Sequence, residues 1–222
     1  MALYIANSYS ETVNVCLILF DPSCTTGGVP FRKEAWWVIG PGKTILPDAL
    51  NVDLTKINRY QYIYAFSASG DMIWQSNENR WALLSSGAAF NQCAEDNTNM
   101  TRWADFEQMD FAGHSNMVAY IGPSTSQIAT NAPTIDIDAG EGAFYVNGGG
   151  FVPGSSVNII YNYSYGDGLT TNSGSPATAN VSSDGTFADI VYVSTLLYSG
   201  TLAVEVVNNG FPALNATATE SF

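Results

Sequence analysis

From residue 59 to residue 66 the chain reads Arg-Tyr-Gln-Tyr-Ile-Tyr-Ala-Phe, with an aromatic ring at every second position. A period of two belongs to an extended strand, whose successive side chains leave opposite faces of a sheet. A helix would scatter Tyr60, Tyr62, Tyr64 and Phe66 around its axis. The same alternation recurs at 12–19, 156–161, 177–181 and 201–207, and in the later segments it is bounded by Gly, Asn and Asp. Asp184-Gly185 is a strong hairpin signal, because glycine accepts the positive φ that a tight primed turn requires. No ten-residue segment of the second half carries helical spacing. Short strands separated by turns within a unit of about 100 residues build a β-sandwich, so the expected fold is all-β, with two β-sandwich-like domains.

Composition places the division between them. Of 222 residues, 46% are hydrophobic and 13% aromatic, which excludes a disordered chain. All 7 Lys and Arg, all 3 Cys and all 5 Trp precede residue 104, and from Ser124 onward there is no Lys, Arg, His, Cys, Trp or Met. The first 123 residues carry 7 basic and 12 acidic side chains, a balance of -5; the remainder carry none and 8, a balance of -8. The expected domains are therefore 1–122 and 133–222. A Pro-, Ser- and Thr-rich linker at 123–132 joins them.

A net charge of -13 removes whole classes of function. A nucleic-acid binder needs cations to displace the counterions of phosphate, and an anionic membrane attracts polybasic segments; this chain offers neither. The strongest apolar run, Val15 to Phe20, is too short to span a bilayer and reads as a strand. The opening Met-Ala-Leu-Tyr-Ile-Ala-Asn-Ser reaches a turn-like pair at once instead of a signal-type apolar stretch. The localisation expected is either cytoplasmic or released after processing. Cys16, Cys24 and Cys93 are an odd set. One bridge and one free thiol are allowed, including a hairpin bridge between Cys16 and Cys24 around Asp21-Pro22, and so are three unpaired thiols.

Two stretches resemble known families. Val146-Asn147-Gly148-Gly149-Gly150-Phe151-Val152-Pro153-Gly154, followed later by Ser183-Asp184-Gly185-Thr186-Phe187, resembles bacterial immunoglobulin-like domains. The resemblance implies an immunoglobulin-like second domain in which Phe151 plugs the sandwich end. Residues 3 to 112 resemble the bacterial domain of unknown function 1036 family. The pieces that carry this are 5–13, Ala35-Trp36-Trp37-Val38-Ile39-Gly40-Pro41-Gly42, 59–65, Phe90-Asn91-Gln92-Cys93 and 106–111. Ala35 and Lys43 stand where that family has Gly and Cys, so the resemblance implies no bridge, and it lends no mechanism.

The side chains offer little for catalysis. His114, the one histidine, sits in a loop without a Gly-x-Ser-x-Gly elbow, and alone it cannot build a multi-histidine metal site. Asp105, Glu107 and Asp110 form a local acidic group of the kind any acidic surface supplies. Gly148-Gly149-Gly150 has neither a lysine nor a following helix, so it makes no phosphate loop. Asp136 and Asp138 share a strand face with Glu141 just beyond, a weak calcium candidate set against acids that merely face water. No other cofactor is expected.

The aromatic group of the first half carries the binding reading. Trp36, Trp37, Trp74, Trp81 and Trp103, with Tyr60, Tyr62 and Tyr64, exceed what one small core usually buries, and adjacent tryptophans on a strand point to opposite faces. Six of them, Trp36, Trp37, Tyr60, Tyr62, Tyr64 and Trp74, are the candidate ligand-binding residues, with Trp36 or Trp37 as the anchor and core packing as the competing reading of each. A Ser/Thr-rich hairpin at 178–193 raises pore formation as an alternative, although its arms barely reach the length of a spanning strand. The expectation is a non-enzymatic binding protein that recognises a cell-surface glycan or protein through its first domain, with no nucleic-acid partner. The alternatives are a toxin component, which alone would engage a membrane, and a structural appendage.

Overall fold

The structure is a computed structural model and describes residues 2–47, 58–76, 81–85, 87–112, 114, 116–122, 129–140, 143–165, 171–173, 176–191, 199–211 and 214–222. Among these the only helical turn is a short 3₁₀ segment, Thr26–Gly28. The chain forms two compact units, Met1–Ser115 with Ala119–Thr130, and Asn116–Val118 with Asn131–Phe222. Of the expected linker, 123–128 lie outside the described residues, and Ala129–Asn131 is a strand.

The strands up to that point are β1 (Ala2–Asn7), β2 (Val13–Phe20), β3 (Phe31–Ile39), β4 (Thr44–Ile45), β5 (Tyr60–Ser67), β6 (Ile73–Trp74), β7 (Trp81–Leu84), β8 (Phe90–Cys93), β9 (Arg102–Asp105), β10 (Glu107–Asp110), β11 (Asn116–Ile121) and β12 (Ala129–Asn131). They make a four-stranded sheet, β12-β11-β1-β4, a six-stranded sheet, β10-β5-β2-β3-β8 with β6 beside β5, and the pair β7-β9. Strand β2 runs through the middle of the larger sheet. Its pairing with β5 sets Leu17 beside Ile63 and Val15 beside Ala65 on one face, and Cys16 beside Tyr64 and Ile18 beside Tyr62 on the other. Both faces are buried there, which is why the sequence is continuously apolar instead of alternating. Between β2 and β3 the register shifts: Val15 lies opposite Trp37 and Cys16 opposite Ala35, so Trp36 is the extra residue of a bulge.

The disulfide joins Cys24 to Cys93, 69 residues apart in sequence, and leaves Cys16 free and buried. The hairpin bridge between Cys16 and Cys24 does not form. Cys16 points into the core from mid-strand, whereas β8 pairs with β3 and sets Cys93 opposite Arg32, near the end of the β2-β3 hairpin where Cys24 lies.

The later strands are β13 (Thr134–Ala139), β14 (Phe144–Gly149), β15 (Ser156–Tyr165), β16 (Thr171–Ser173), β17 (Ala177–Asn180), β18 (Phe187–Val191), β19 (Gly200–Asn208) and β20 (Asn215–Ser221). They form a three-stranded sheet, β13-β14-β18, and a second sheet, β16-β15-β19-β20 with β17 also on β15. In immunoglobulin lettering the first is A-B-E and the second holds C, F and G in order, so this unit is an immunoglobulin-like sandwich. Its core is built from both inner faces, with Phe144, Val146, Val157, Ile159, Leu202, Val204 and Val206 all buried. Each such side chain contributes about 1.5–3 kcal/mol by leaving water.

The hairpin read at 178–193 is not one. Strand β17 pairs with β15 and β18 with β14, in different sheets, so Asp184-Gly185 turns a corner between sheets; residues 192–193 lie outside the described residues. The turn itself is as read, with Gly185 at φ 81°. Phe151 is fully buried and meets the Phe187 ring edge-on at 5.4 Å. Asn208, 1% exposed, ties the approach to it: its Oδ1 accepts the Val152 N–H at 3.0 Å, while its Nδ2 donates to Ser155 Oγ at 2.6 Å and to the Ser156 carbonyl at 2.9 Å. That satisfies a buried amide that would otherwise be costly.

Candidate functional site

The strand alternation does place Tyr60, Tyr62, Tyr64 and Phe66 on one face of β5, and Trp36 joins them from β3. The Trp36 ring packs 5.1 Å from Phe66, 6.1 Å from Phe90 and 6.4 Å from Tyr64. This is a core cluster, shared with Cys16, Ile18, Ala35, Leu84, Ala104 and Phe106. Trp37 lies on the opposite face, beside Val15 in register. Both tryptophans are half-buried, and their indole N–H groups are buried without a hydrogen-bond partner.

Two of the six candidates lie in the interior. Trp74 is wholly buried against Tyr9, with its Nε1–H donating to the Gly122 carbonyl at 2.9 Å, and Tyr64 is 2% exposed. Neither presents a surface, because a ring with its polar tip satisfied inside is packing. Tyr62 is half-buried against Phe31, and the half-buried Tyr60 lies under the Arg59 guanidinium at 5.1 Å.

Charged groups unforeseen from the sequence line the same interior. Arg102 stacks over Tyr64 and Phe66, 5.3 and 5.1 Å from the ring centres, and donates to Tyr64 Oη at 2.6 Å. Lys33 is fully buried, beside Ile18 in register, with its Nζ donating to Asn97 Oδ1 at 3.0 Å. Burial lowers the Lys33 pKa against the opposing pull of Cys16, Asp96 and Glu95. Burial also pushes the Cys16 thiol well above its ordinary value, more than Lys33 and Arg102 lower it, and so keeps it a protonated, poor nucleophile. Nothing in Phe31-Arg32-Lys33-Glu34-Ala35 marks Lys33 as interior; the bulge at Trp36 belongs to the pairing, which sequence spacing does not show.

Other expectations fall out as follows. His114 is exposed. Asp136 and Asp138 are exposed on β13, Glu141 lies outside the described residues, and among the described residues no three His, Cys, Asp or Glu side chains come together as a metal site. No helix among them is long and apolar enough to cross a membrane.

The large apolar side chains that do reach solvent are elsewhere. In β9, Ala104 turns inward and Trp103 outward, 56% exposed; Val38 at the end of β3 is 64% exposed. In β14, Phe144 and Val146 turn inward, and Tyr145 outward, 48% exposed. The alternation of Phe144-Tyr145-Val146-Asn147 is enough to find Tyr145, whereas in Arg102-Trp103-Ala104 it is the charged residue that shares the inward side with Ala104, which spacing does not show. A cleft of about 740 Å³ lies in the later unit, over Gly148 and Gly149, with Asp136, Asn147, Asn180 and Thr186 around it.

No protein-family model and no curated protein matches the chain. Among solved structures it is similar to a tetra-tandem repeat in the extending region of a large adhesion protein, at 10% identity and a TM-score of 0.30, over 100% of this chain and 49% of that one. The chain thus spans about half the length of that structure. It is similar to the chicken interferon gamma receptor alpha chain at 7% identity and the same TM-score, over 100% of this chain and 95% of that one. Similarity at this level carries no argument about activity.

Proposed function

We propose that the protein is a non-enzymatic binding protein that recognises a cell-surface or glycan ligand through its aromatic-rich first unit. The observation that carries the reading is Trp103, a large ring held out to solvent by a β-strand whose next residue, Ala104, is anchored in the core. Binding energy concentrates in a few such side chains on rigid supports, tryptophan foremost. The Cys24–Cys93 bridge supports action in an oxidising setting, where disulfides persist and surface ligands are met. Trp36 and Trp37, either of which the sequence offers as the anchor, are half-buried.

The test is the full chain on a glycan array, on whole cells and on dye-loaded liposomes in parallel. Wild type is expected to bind the array or the cells and to leave the liposomes intact, and Trp103→Ala is expected to weaken that binding at least tenfold with an unchanged melting temperature. Dye leakage would instead support the toxin alternative. Self-assembly without any ligand would support an appendage.

A further inference from the structure

We infer that the outer face of the β13-β14-β18 sheet is a second binding site, for neutral polysaccharides with flat-faced sugar rings. This deepens the binding reading above and rests on it, but it uses none of the residues of the first unit.

The register builds the site in rows. Asp136, Asn147 and Ala188 stand side by side across the three strands, and Asp138, Tyr145 and Ile190 form the next row, two residues or about 7 Å further on. Tyr145 and Ile190 are 48% and 38% exposed. The Tyr145 ring lies against Gly140 in the β13-β14 turn, so closely that a Cβ there would come within 2.7 Å of a ring carbon. The ring therefore leans over the turn instead of standing away from the sheet, and its exposed part offers an apolar platform beside Asp138.

The cleft lies one row further from the turn, where Asp136 and Asn147 line it and Tyr145 does not. Gly148 and Gly149 lie in it and cover it with no side chain, and Gly148 is held to glycine because a Cβ there would collide with the buried Phe187 ring. Asp136, Asn147, Asn180 and Thr186 are among the polar residues that line it. The cleft is about 740 Å³ in volume and shallow, so it meets one face of a ligand instead of enclosing it. Carboxylates accept and amides both donate and accept, which matches ligands dense in hydroxyl groups. Anionic ligands find no match, since residues 124–222 contain no Lys, Arg or His, while Asp136 and Asp138 repel them. Ionic pairing of a neutral chain is not required, so the aromatic platform and the hydroxyl-matching groups suffice.

The experiment is native affinity electrophoresis of the full chain through gels containing mixed-linkage β-glucan, xylan or galactomannan, with dextran sulfate as the anionic control. Retardation is expected in at least one neutral gel and none in dextran sulfate. Tyr145→Ala should weaken it at least tenfold and Asn147→Ala severalfold, while Tyr145→Phe should retain most of it. Melting curves verify that each variant is folded; should Tyr145→Ala unfold, Asn147→Ala and Asp136→Asn carry the test. No retardation in any neutral gel, retardation by dextran sulfate alone, or retardation that folded Tyr145→Ala retains would overturn the site. If the array or cells still bind wild type through Trp103, the site alone has failed; if nothing binds wild type anywhere, the binding reading has failed with it.

Discussion

The two units are both antiparallel β structures, yet they are held together by different chemistry. The first has a disulfide, a buried lysine, an arginine stacked on aromatic rings and every tryptophan of the chain. The second has none of these, and packs Phe, Val, Ile and Leu between two sheets whose ladders need no charged help. They share one device. Each pins a loop with a buried asparagine, Asn7 in the first and Asn208 in the second. Asn7 donates to the carbonyls of Ile39 at 2.9 Å and Glu11 at 2.7 Å and accepts from the Tyr9 N–H at 2.9 Å. A regular hydrophobic sandwich is thus enough where the strand order is simple, while the more irregular sheets of the first unit, one of them bulged, coincide with covalent and cationic reinforcement.

The sharpest way to break the comparison is to damage one core and watch the other. Trp74→Ala should cost about 3–5 kcal/mol, as a large cavity with a lost hydrogen bond, and Phe151→Ala a similar amount in the second unit. Because every tryptophan lies in the first unit, indole fluorescence reports its unfolding alone, and far-ultraviolet circular dichroism reports both. The expectation is that Trp74→Ala lowers the fluorescence midpoint in urea, while Phe151→Ala lowers only the part of the dichroism transition that fluorescence does not follow. If the two probes move together for both variants, the units unfold as one and the contrast is mistaken.

Reduction comes next in size. A bridge closing a loop of 69 residues stabilises by about 2–5 kcal/mol in a chain-entropy account. Cys24→Ser with Cys93→Ser, or dithiothreitol on the wild type, should lower the fluorescence midpoint accordingly, with no change in the other transition. An unchanged fluorescence midpoint would mean that the bridge reinforces nothing.

The contrast also sets what could be read in advance. In the second unit the pattern of side chains is the pattern of burial: Leu202, Val204 and Val206 face in, and Ala203 and Glu205 face out, because each strand has one wet face. Strand positions, the all-β class and the glycine turns follow from that alternation. It does not state partners, so Asp184-Gly185 looked like a hairpin although its flanking strands belong to opposite sheets. In the first unit the central sheet is buried on both faces, alternation loses its meaning, and surface rings cannot be told from core rings. The reading of Trp74 and Tyr64 as surface rings fails for that reason, and spacing gives no outward direction to Trp103 between Arg102 and Ala104, whereas it does to Tyr145 between the inward Phe144 and Val146.

A smaller effect tests the shared device. Asn208→Ala leaves the Val152 N–H without its partner, which should cost about 1–3 kcal/mol. Asn7→Ala should cost a like amount in the fluorescence-reported transition, since it removes bonds to two carbonyls and one N–H. A cost for one and none for the other would show that the asparagines are not equivalent.

The smallest effect separates the units by their response to acid and salt. Asp184 is held down to about 2, from an ordinary 3.8, by hydrogen bonds from Ser182 and Thr186, its Oδ1 accepting the Thr186 hydroxyl at 2.7 Å. Asp110 is held equally low, chiefly by a bidentate pair with Arg59. A carboxylate depressed in the folded state favours folding above its ordinary pKa, and that contribution disappears as the pH falls from 3.8 through about 2. Both groups are exposed, so the effect on either unit is small. Its origin still differs: an ion pair is screened by salt, whereas neutral hydroxyl and backbone donors keep their bonds in it. Asp184→Asn should flatten the acid dependence of the second transition equally at low salt and in 1 M NaCl, and Asp110→Asn should do so in the first transition only at low salt. Equal salt dependence for both would show that charge pairing is not what distinguishes the first unit.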